Sequence, residues 1–319
     1  MIGSRRRALL VGGLALAGLG ACAALRFNSD PALPEPPLPL PPGSGLESRG
    51  GLLINRHAIG FGGLSGLHID DDLTLTAISD LGYWLQARLV LDAGGQPRTL
   101  EAIRTGRLRS DAVFAPPAPL RRDAESLARL PDGTWLVGFE RWHHICLYRE
   151  LGAPCSVLEA APPGLSRAPV NAGLESLTVL ANGRWLAITE GLEVARGPLM
   201  RAWIGTPELW TPLRYRPSPG FVPTDVCALP DGGALVVERR FSLWEGGFSG
   251  RLLHIPAAQL TDPAPESVLR PEPLLTGLPH ENWEGVTAFR HGGRVWVAMV
   301  ADDNEMFFQR GLLLLFTLG

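Results

Sequence analysis

A short β-type run that leaves an acid, reverses at a Gly-containing turn and returns to another acid recurs along the chain, and this recurrence limits the fold more than any other feature. Two copies align closely: Asp123-Ala124-Glu125-Ser126-Leu127 through Asp132-Gly133 to Glu140, and Asn171-Ala172-Gly173-Leu174-Glu175-Ser176-Leu177 through Asn182-Gly183 to Glu190. A third runs from Thr224-Asp225 through Asp231-Gly232 to Glu238. A fourth runs from Asn282-Trp283-Glu284-Gly285 through Gly292-Gly293 to Asp302, and a fainter first copy opens at Leu64-Ser65-Gly66-Leu67 and ends at Ser79-Asp80. Asp-Gly and Asn-Gly favour two-residue type I′ turns, in which both positions need positive φ, so each copy is expected to be a β-hairpin. Starts at Ser65, Glu125, Glu175, Asp225 and Glu284 are spaced by 60, 50, 50 and 59 residues, which suits four-stranded propeller blades better than the shorter repeats of helical solenoids. The expected fold is an all-β, five-bladed β-propeller over residues 51–319; a sixth blade would fit within the two longer spacings. Pairing of Leu52-Leu53-Ile54 with residues 311–316 would join the N- and C-terminal strands and close the ring without a free edge.

Counting outward from two-residue turns sets Glu125 opposite Glu140, Glu175 opposite Glu190, and Asp225 opposite Glu238. Glu284 and Asp302 are centred on Gly293, as a three-residue loop requires, while Ser65 and Asp80 are centred on Asp72-Leu73. Like charges directly opposite on a sheet cost roughly 0.2–1 kcal/mol, so four acid pairs call for a positive partner. The pairs would converge on one mouth of the central channel. Carboxylate oxygens in that number suit a hard cation such as Ca²⁺ and not Zn²⁺, which favours His and Cys. Asp80, Glu125, Glu140, Glu175, Glu190, Asp225, Glu238, Glu284 and Asp302 are therefore candidate metal ligands. The competing reading is that the acids bind turn amides and tie neighbouring blades together. Arg141, Arg239 and Arg240 follow the second acid of their hairpins and are candidate phosphate binders, with rim salt bridges as the alternative. His143 and His144 lie just beyond Arg141, and His68 and His280 lie near two other strand ends, where a general acid would fit.

All 29 basic residues are Arg. The absence of Lys excludes Schiff-base, Walker-type and Ser-x-x-Lys chemistry, and no Gly-x-Ser-x-Gly elbow or His-Glu-x-x-His motif is present. Residues 1–21 hold Arg5, Arg6, Arg7 and no acid, so without them 26 Arg face 32 acids and the net charge moves from -3 to -6. So acidic a body disfavours nucleic-acid binding and favours cations.

Ser4-Arg5-Arg6-Arg7 precedes a short Gly-rich apolar run, the pattern of an export signal rather than a spanning helix. Its end, Leu19-Gly20-Ala21-Cys22, resembles a bacterial lipobox, which implies a signal peptide over 1–22, lipidation of Cys22, and membrane anchoring in the cell envelope or periplasm. The Arg run also resembles a twin-arginine signal, with the general secretion route as the other possibility. Seven Pro residues within 23–50 favour extended polyproline geometry and a stiff tether. Export permits a disulfide between Cys146 and Cys155 across an expected turn, while Cys227 falls in a first strand as a buried free thiol. Trp135, Trp185, Trp283 and Trp296 are expected to pack between blades.

Taken together, Leu64-Ser65-Gly66-Leu67 with Ser79-Asp80, Asp123-Ala124-Glu125-Ser126, Asn171-Ala172-Gly173-Leu174-Glu175, Asp225 with Glu238-Arg239-Arg240-Phe241, and Asn282-Trp283-Glu284-Gly285 with Asp302-Asp303-Asn304 resemble the phytase-like esterases. This family is related to the alkaline β-propeller phytases, and the match covers roughly residues 60–319. The resemblance implies a calcium-dependent phosphoric ester hydrolase, a phosphatase or phosphodiesterase, in which Ca²⁺ at the acidic mouth holds phosphate and activates water. Glu125, Glu175, Arg141, Arg239 and Arg240 would then line the reaction centre, and the substrate would be a small phosphorylated molecule. The related phytases use Lys as well as Arg, so the lack of Lys argues against phytate itself. The alternative is a non-catalytic propeller lipoprotein that binds a ligand or protein, since fold alone decides no function; a lactonase-type propeller with a single metal held by Glu, Asp and Asn is a third reading. A monomer is expected, with the lipid anchor as its membrane contact.

Overall fold

The computed structural model describes residues 29–109, 123–194, 197–304 and 309–319, and the export signal and Cys22 lie outside them. Five sheets form five blades. Their innermost strands, Leu64–Ile69, Ala124–Arg129, Ser176–Val179, Val222–Ala228 and Asn282–His291, neighbour one another in cyclic order and enclose a central channel. Apolar residues of adjoining blades fuse into five buried clusters, one at each junction. Trp135, Trp185, Trp283 and Trp296 all sit in these seams, each at most 5% exposed. The fully buried Trp283 ring presses on Gly250, where a Cβ would come within 2.2 Å of it, so this seam depends on a missing side chain as much as on a large one.

The hairpin turns differ from the expected type. Loops 131–133, 181–183 and 230–232 have three residues, closed by Leu130, Leu180 and Leu229, and only their last residue, Gly133, Gly183 or Gly232, takes positive φ. The preceding Asp132, Asn182 and Asp231 accept the amide two residues on, an Asx arrangement that replaces the second left-handed residue a type I′ turn would need. Blade 5 reverses the expectation in the other sense. Its loop is the two-residue Gly292-Gly293, both at positive φ, between His291 and Arg294.

Blade 5 also closes the ring. Leu46–Ile54 pairs with Leu312–Leu318 as expected, and a further strand, Ala32–Glu35, pairs outside it. The segment expected as a tether over 23–50 therefore already contains strand from Ala32 onward. Pro34 is tolerated there because the strand is an edge, where a missing amide donor breaks no ladder. Blade 3 likewise gains a short outer strand, Val268–Leu269, parallel to Leu209–Tyr215. Cys146 and Cys155 form a disulfide in blade 2, and Cys227 is free and buried.

Candidate functional site

Because the turns of blades 2, 3 and 4 are one residue longer than expected and that of blade 5 one residue shorter, the register at the channel mouth shifts. A β-bulge shifts it again. Blade 2 passes from Ser126 opposite Gly138 to Ala124 opposite Phe139, which leaves Glu125 as the extra residue. Glu284 occupies the same place in blade 5 and Thr224 in blade 4. A bulge re-aims its extra side chain, so Glu125 and Glu284 serve the mouth as bulge residues and not as cross-strand partners. Glu140 faces Asp123, whose carbonyl accepts its amide at 2.8 Å, and Glu190 faces Gly173 in the same way at 3.0 Å. Glu238 faces Pro223 while Asp225 faces Val237, which corrects the Asp225–Glu238 pairing. Asp302 faces Asn282.

Hydroxyls beside the bulges stitch the ring. Ser65 donates to the Ala124 carbonyl at 2.6 Å, Ser126 to that of Leu174 at 3.2 Å, and Thr224 to that of Trp283 at 2.8 Å. In each case the accepting carbonyl immediately precedes an acid of the next blade. The stitches thus fix Glu125, Glu175 and Glu284 in place.

Within this frame the acids have different partners. Asp225 accepts the amides of Val226 and Val286 at 2.8 and 2.7 Å. Glu238 accepts the Tyr215 hydroxyl at 2.8 Å and the Ser218 amide at 3.0 Å. Both carboxylates tie blades together. Arg239 reaches into the mouth, donating to Glu190 at 2.8 Å, to Asn282 at 2.6 Å and to Glu284. Asp302 accepts the Asn304 amide at 2.7 Å. Asp80, half-buried, hydrogen-bonds through its amide to Gly63, and its charge bears on both Glu125 and Asp302.

What remains is a compact group on blades 2 and 3. One carboxylate oxygen from each of Asp123, Glu125 and Glu140 lies within 4.8 Å of the others. Glu175 hydrogen-bonds Glu140, which also accepts the Gly173 amide. Burial first, then the charges of Glu284, Asp123, Glu140 and Asp80, push the Glu125 carboxyl well above the ordinary range. Burial and the charges of Glu125, Glu140 and Glu190 do the same to Glu175. Glu284 is raised to about 8, chiefly by burial and despite Arg239, and Asp302 to about 7 by burial and the nearby Asp80 and Asp303. Carboxyls held so far from their ordinary range are short of positive charge. The all-oxygen donor set fits a hard cation.

The three arginines diverge. Arg239 is the counter-ion just described, whereas Arg240, next along the strand, points the other way, pairing with Glu245 and stacking 4.8 Å from the Phe221 ring. Arg141 takes a left-handed φ of 55° and folds back onto Asp123, which leaves its partly exposed guanidinium beside the acid trio. Of the histidines, His68 pairs with Asp70 at 3.3 Å on the opposite rim, His280 bonds the Phe248 carbonyl at 2.8 Å, and His144 is buried against Trp142 and Phe139. His143 lies against Gly173 at the mouth. A cleft of about 880 Å³ opens between blades 1 and 2, lined by His68, Asp70, Arg129 and Trp135. It sits at the turn end of the blades, away from the acids, so cavity size and concentrated charge point to different places. The charge carries more weight here, because repulsion among buried acids has no structural benefit. Asp123 and Asn282 escaped the sequence count, although each stands two residues before a bulge glutamate, a spacing visible as Asp-x-Glu and Asn-x-Glu.

A family model described as phytase-like, esterase-like activity of phytase, matches residues 59–305. No curated protein matches the chain. Among solved structures, virginiamycin B lyase from Staphylococcus aureus is 12% identical with a TM-score of 0.42, over 89% of this chain and 83% of that one. An endo-arabinase from Bacteroides thetaiotaomicron is 14% identical with a TM-score of 0.43, over 90% and 95%.

Proposed function

The chain belongs to the phytase-like family, and from that membership we propose that it is a calcium-dependent phosphoric ester hydrolase held at the bacterial cell envelope by lipidation of Cys22. The observation that carries the reading is the Asp123–Glu125–Glu140 trio with Glu175 beside it. Asp123, Glu125 and Glu140 would hold the cation. Bound there, calcium supplies charge that offsets the phosphoryl oxygens and acidifies water. Arg141, anchored by Asp123 and 43% exposed at its side chain, is positioned to donate two parallel hydrogen bonds to a phosphate. Arg239 balances the charge of Glu190 and hydrogen-bonds Glu284, and so holds the far wall of the mouth. Glu175 stays protonated and donates to Glu140, orienting a carboxylate of the trio.

Hydrolysis of p-nitrophenyl phosphate and of bis(p-nitrophenyl) phosphate, each with calcium and with chelator, tests the proposal. Calcium-dependent turnover of either ester, lost in Glu125→Gln, is the expected result. Absence of turnover combined with calcium binding favours the ligand-binding propeller. Absence of both removes the metal reading.

A further inference from the structure

We infer that the hairpin tip at Leu243 and Trp244 docks this propeller onto a phospholipid surface, with the acidic mouth turned toward the lipid. The inference is separate from the hydrolytic reading and rests on the proposed anchor at Cys22. Strands Ala234–Ser242 and Gly247–Ile255 stay paired beyond Glu238, through Phe241 opposite Phe248 to Ser242 opposite Gly247, so this hairpin projects past the acids on the mouth face. Trp244 is 98% exposed at its tip, Leu243 80% and Phe241 58%. The other eight tryptophans are buried or half-buried. Phe241 and Phe248 pack with ring centroids 4.9 Å apart and brace the tip from below, while Arg240 and Glu245 pair and cancel charge beside it.

The described chain enters on the same face. Ala32 pairs with Ile54, and Asn55 holds both Asp30 and Pro31 through their carbonyls; Ile54 lies at the mouth end of blade 5, since its neighbour Leu53 pairs with Leu312 and Leu312 with Ala301. Seven residues lie between Cys22 and Asp30, eight Cα–Cα steps in all. Even fully extended they span at most about 29 Å. An anchor at Cys22 therefore keeps the mouth face near the bilayer, on the side where the apolar tip stands out. A convex tip of two side chains is too small for a stable protein interface, but Trp and Leu presented this way match the interfacial layer of a membrane.

The test uses the full chain, wild type and Trp244→Gln, in phosphatidylcholine vesicles with and without brominated acyl chains. Trp244 lies on the surface, so the substitution leaves the fold intact. The expected result is that both proteins float with the vesicles, that bromination quenches tryptophan emission in the wild type, and that the quenching is lost in Trp244→Gln. Flotation with no quenching by brominated chains in either protein, or with the same quenching in both, would overturn docking and leave the anchor standing. Failure of the wild type to float would overturn both. A wild-type dimer in sedimentation that Trp244→Gln converts to monomer would assign the tip to a second copy of the chain and overturn the lipid contact.

Discussion

Replacing Arg239 by Met removes the guanidinium that, among the described residues, crosses the mouth, and the structure sets how much that costs. Arg239, Glu190 and Glu284 have side chains only 19%, 14% and 11% exposed. Breaking such a buried pair from one side costs about 3–5 kcal/mol. Glu284, with its carboxyl raised to about 8, is mostly protonated at pH 7 and loses little when its partner leaves. Glu190 alone is left as an uncompensated charge, so the lower end applies, about 3 kcal/mol, or about 6–12 °C in Tm for a domain of this size. The effect on calcium has the opposite sign. A divalent ion about 10 Å from an arginine is repelled by about 1–3 kcal/mol at effective dielectric constants of about 20–80, so Arg239→Met should bind calcium at least several-fold more tightly. Calcium at about 100 times its Kd should return about 2.7 kcal/mol, most of the loss. Thermal unfolding in chelator and in calcium, with calorimetric titration of both proteins, reads these quantities. A Tm loss that calcium leaves unchanged, with no calcium heat in either protein, would refute the reasoning.

Glu175→Gln keeps the shape and the neutral donor to Glu140, so calorimetry should show calcium binding close to wild type, whereas Glu175→Leu, which removes the donor, should weaken it; an equal loss in both variants would put the Glu175 carboxylate itself among the cation's ligands. In chelator, melting temperature should fall as pH rises from about 4 to 8. The folded state keeps protons on Asp302 and Glu284, raised to about 7 and about 8, that the unfolded state releases at ordinary carboxyl pKa, so stability is lost as these groups ionise; calcium should flatten the slope, and a metal-free Tm that climbs over this range would count against the crowded-acid picture. Tyr215→Phe leaves one Glu238 oxygen without the buried hydroxyl and should cost about 1–2 kcal/mol with no change in calcium affinity. A changed affinity would return Glu238 to the ligand set. Alkylation of denatured, unreduced protein should label Cys227 and neither Cys146 nor Cys155.

The five-bladed ring was legible because turn chemistry and strand patterning repeat at a spacing that a single blade occupies. Which acids meet was less legible, because it depends on single-residue shifts. The Asx bond of Asp132 and the bulge at Glu125 each move the register by one and together bring Asp123 opposite Glu140, while the corresponding turn at Asp231 and the bulge at Thr224 carry Asp225 and Glu238 away from one another. Neither shift is encoded by residue type at the acids themselves. Arg239 and Arg240 illustrate the same limit: adjacent residues on a strand point to opposite sides, so only one of an Arg-Arg pair enters the channel, and the choice follows the unbroken pleat of Ala234–Ser242. The long hairpin that carries Trp244 was not anticipated, because Leu243-Trp244 in isolation resembles any other apolar pair.

The junction between Leu46–Ile54 and Leu312–Leu318 joins chain segments about 260 residues apart. Contacts so distant in sequence form slowly, because a large loop must close before any pairing is gained. During synthesis the ring cannot shut until its last strand has emerged, so the nascent chain exposes the apolar edge of blade 5 throughout elongation. An open edge of that kind is prone to aggregation, which sets a premium on passing the chain onward before it collapses. A premature stop before Leu312 would remove the clasp and leave Leu46–Ile54 without its neighbour, so truncated products should be cleared by proteolysis and not accumulate as a shortened propeller.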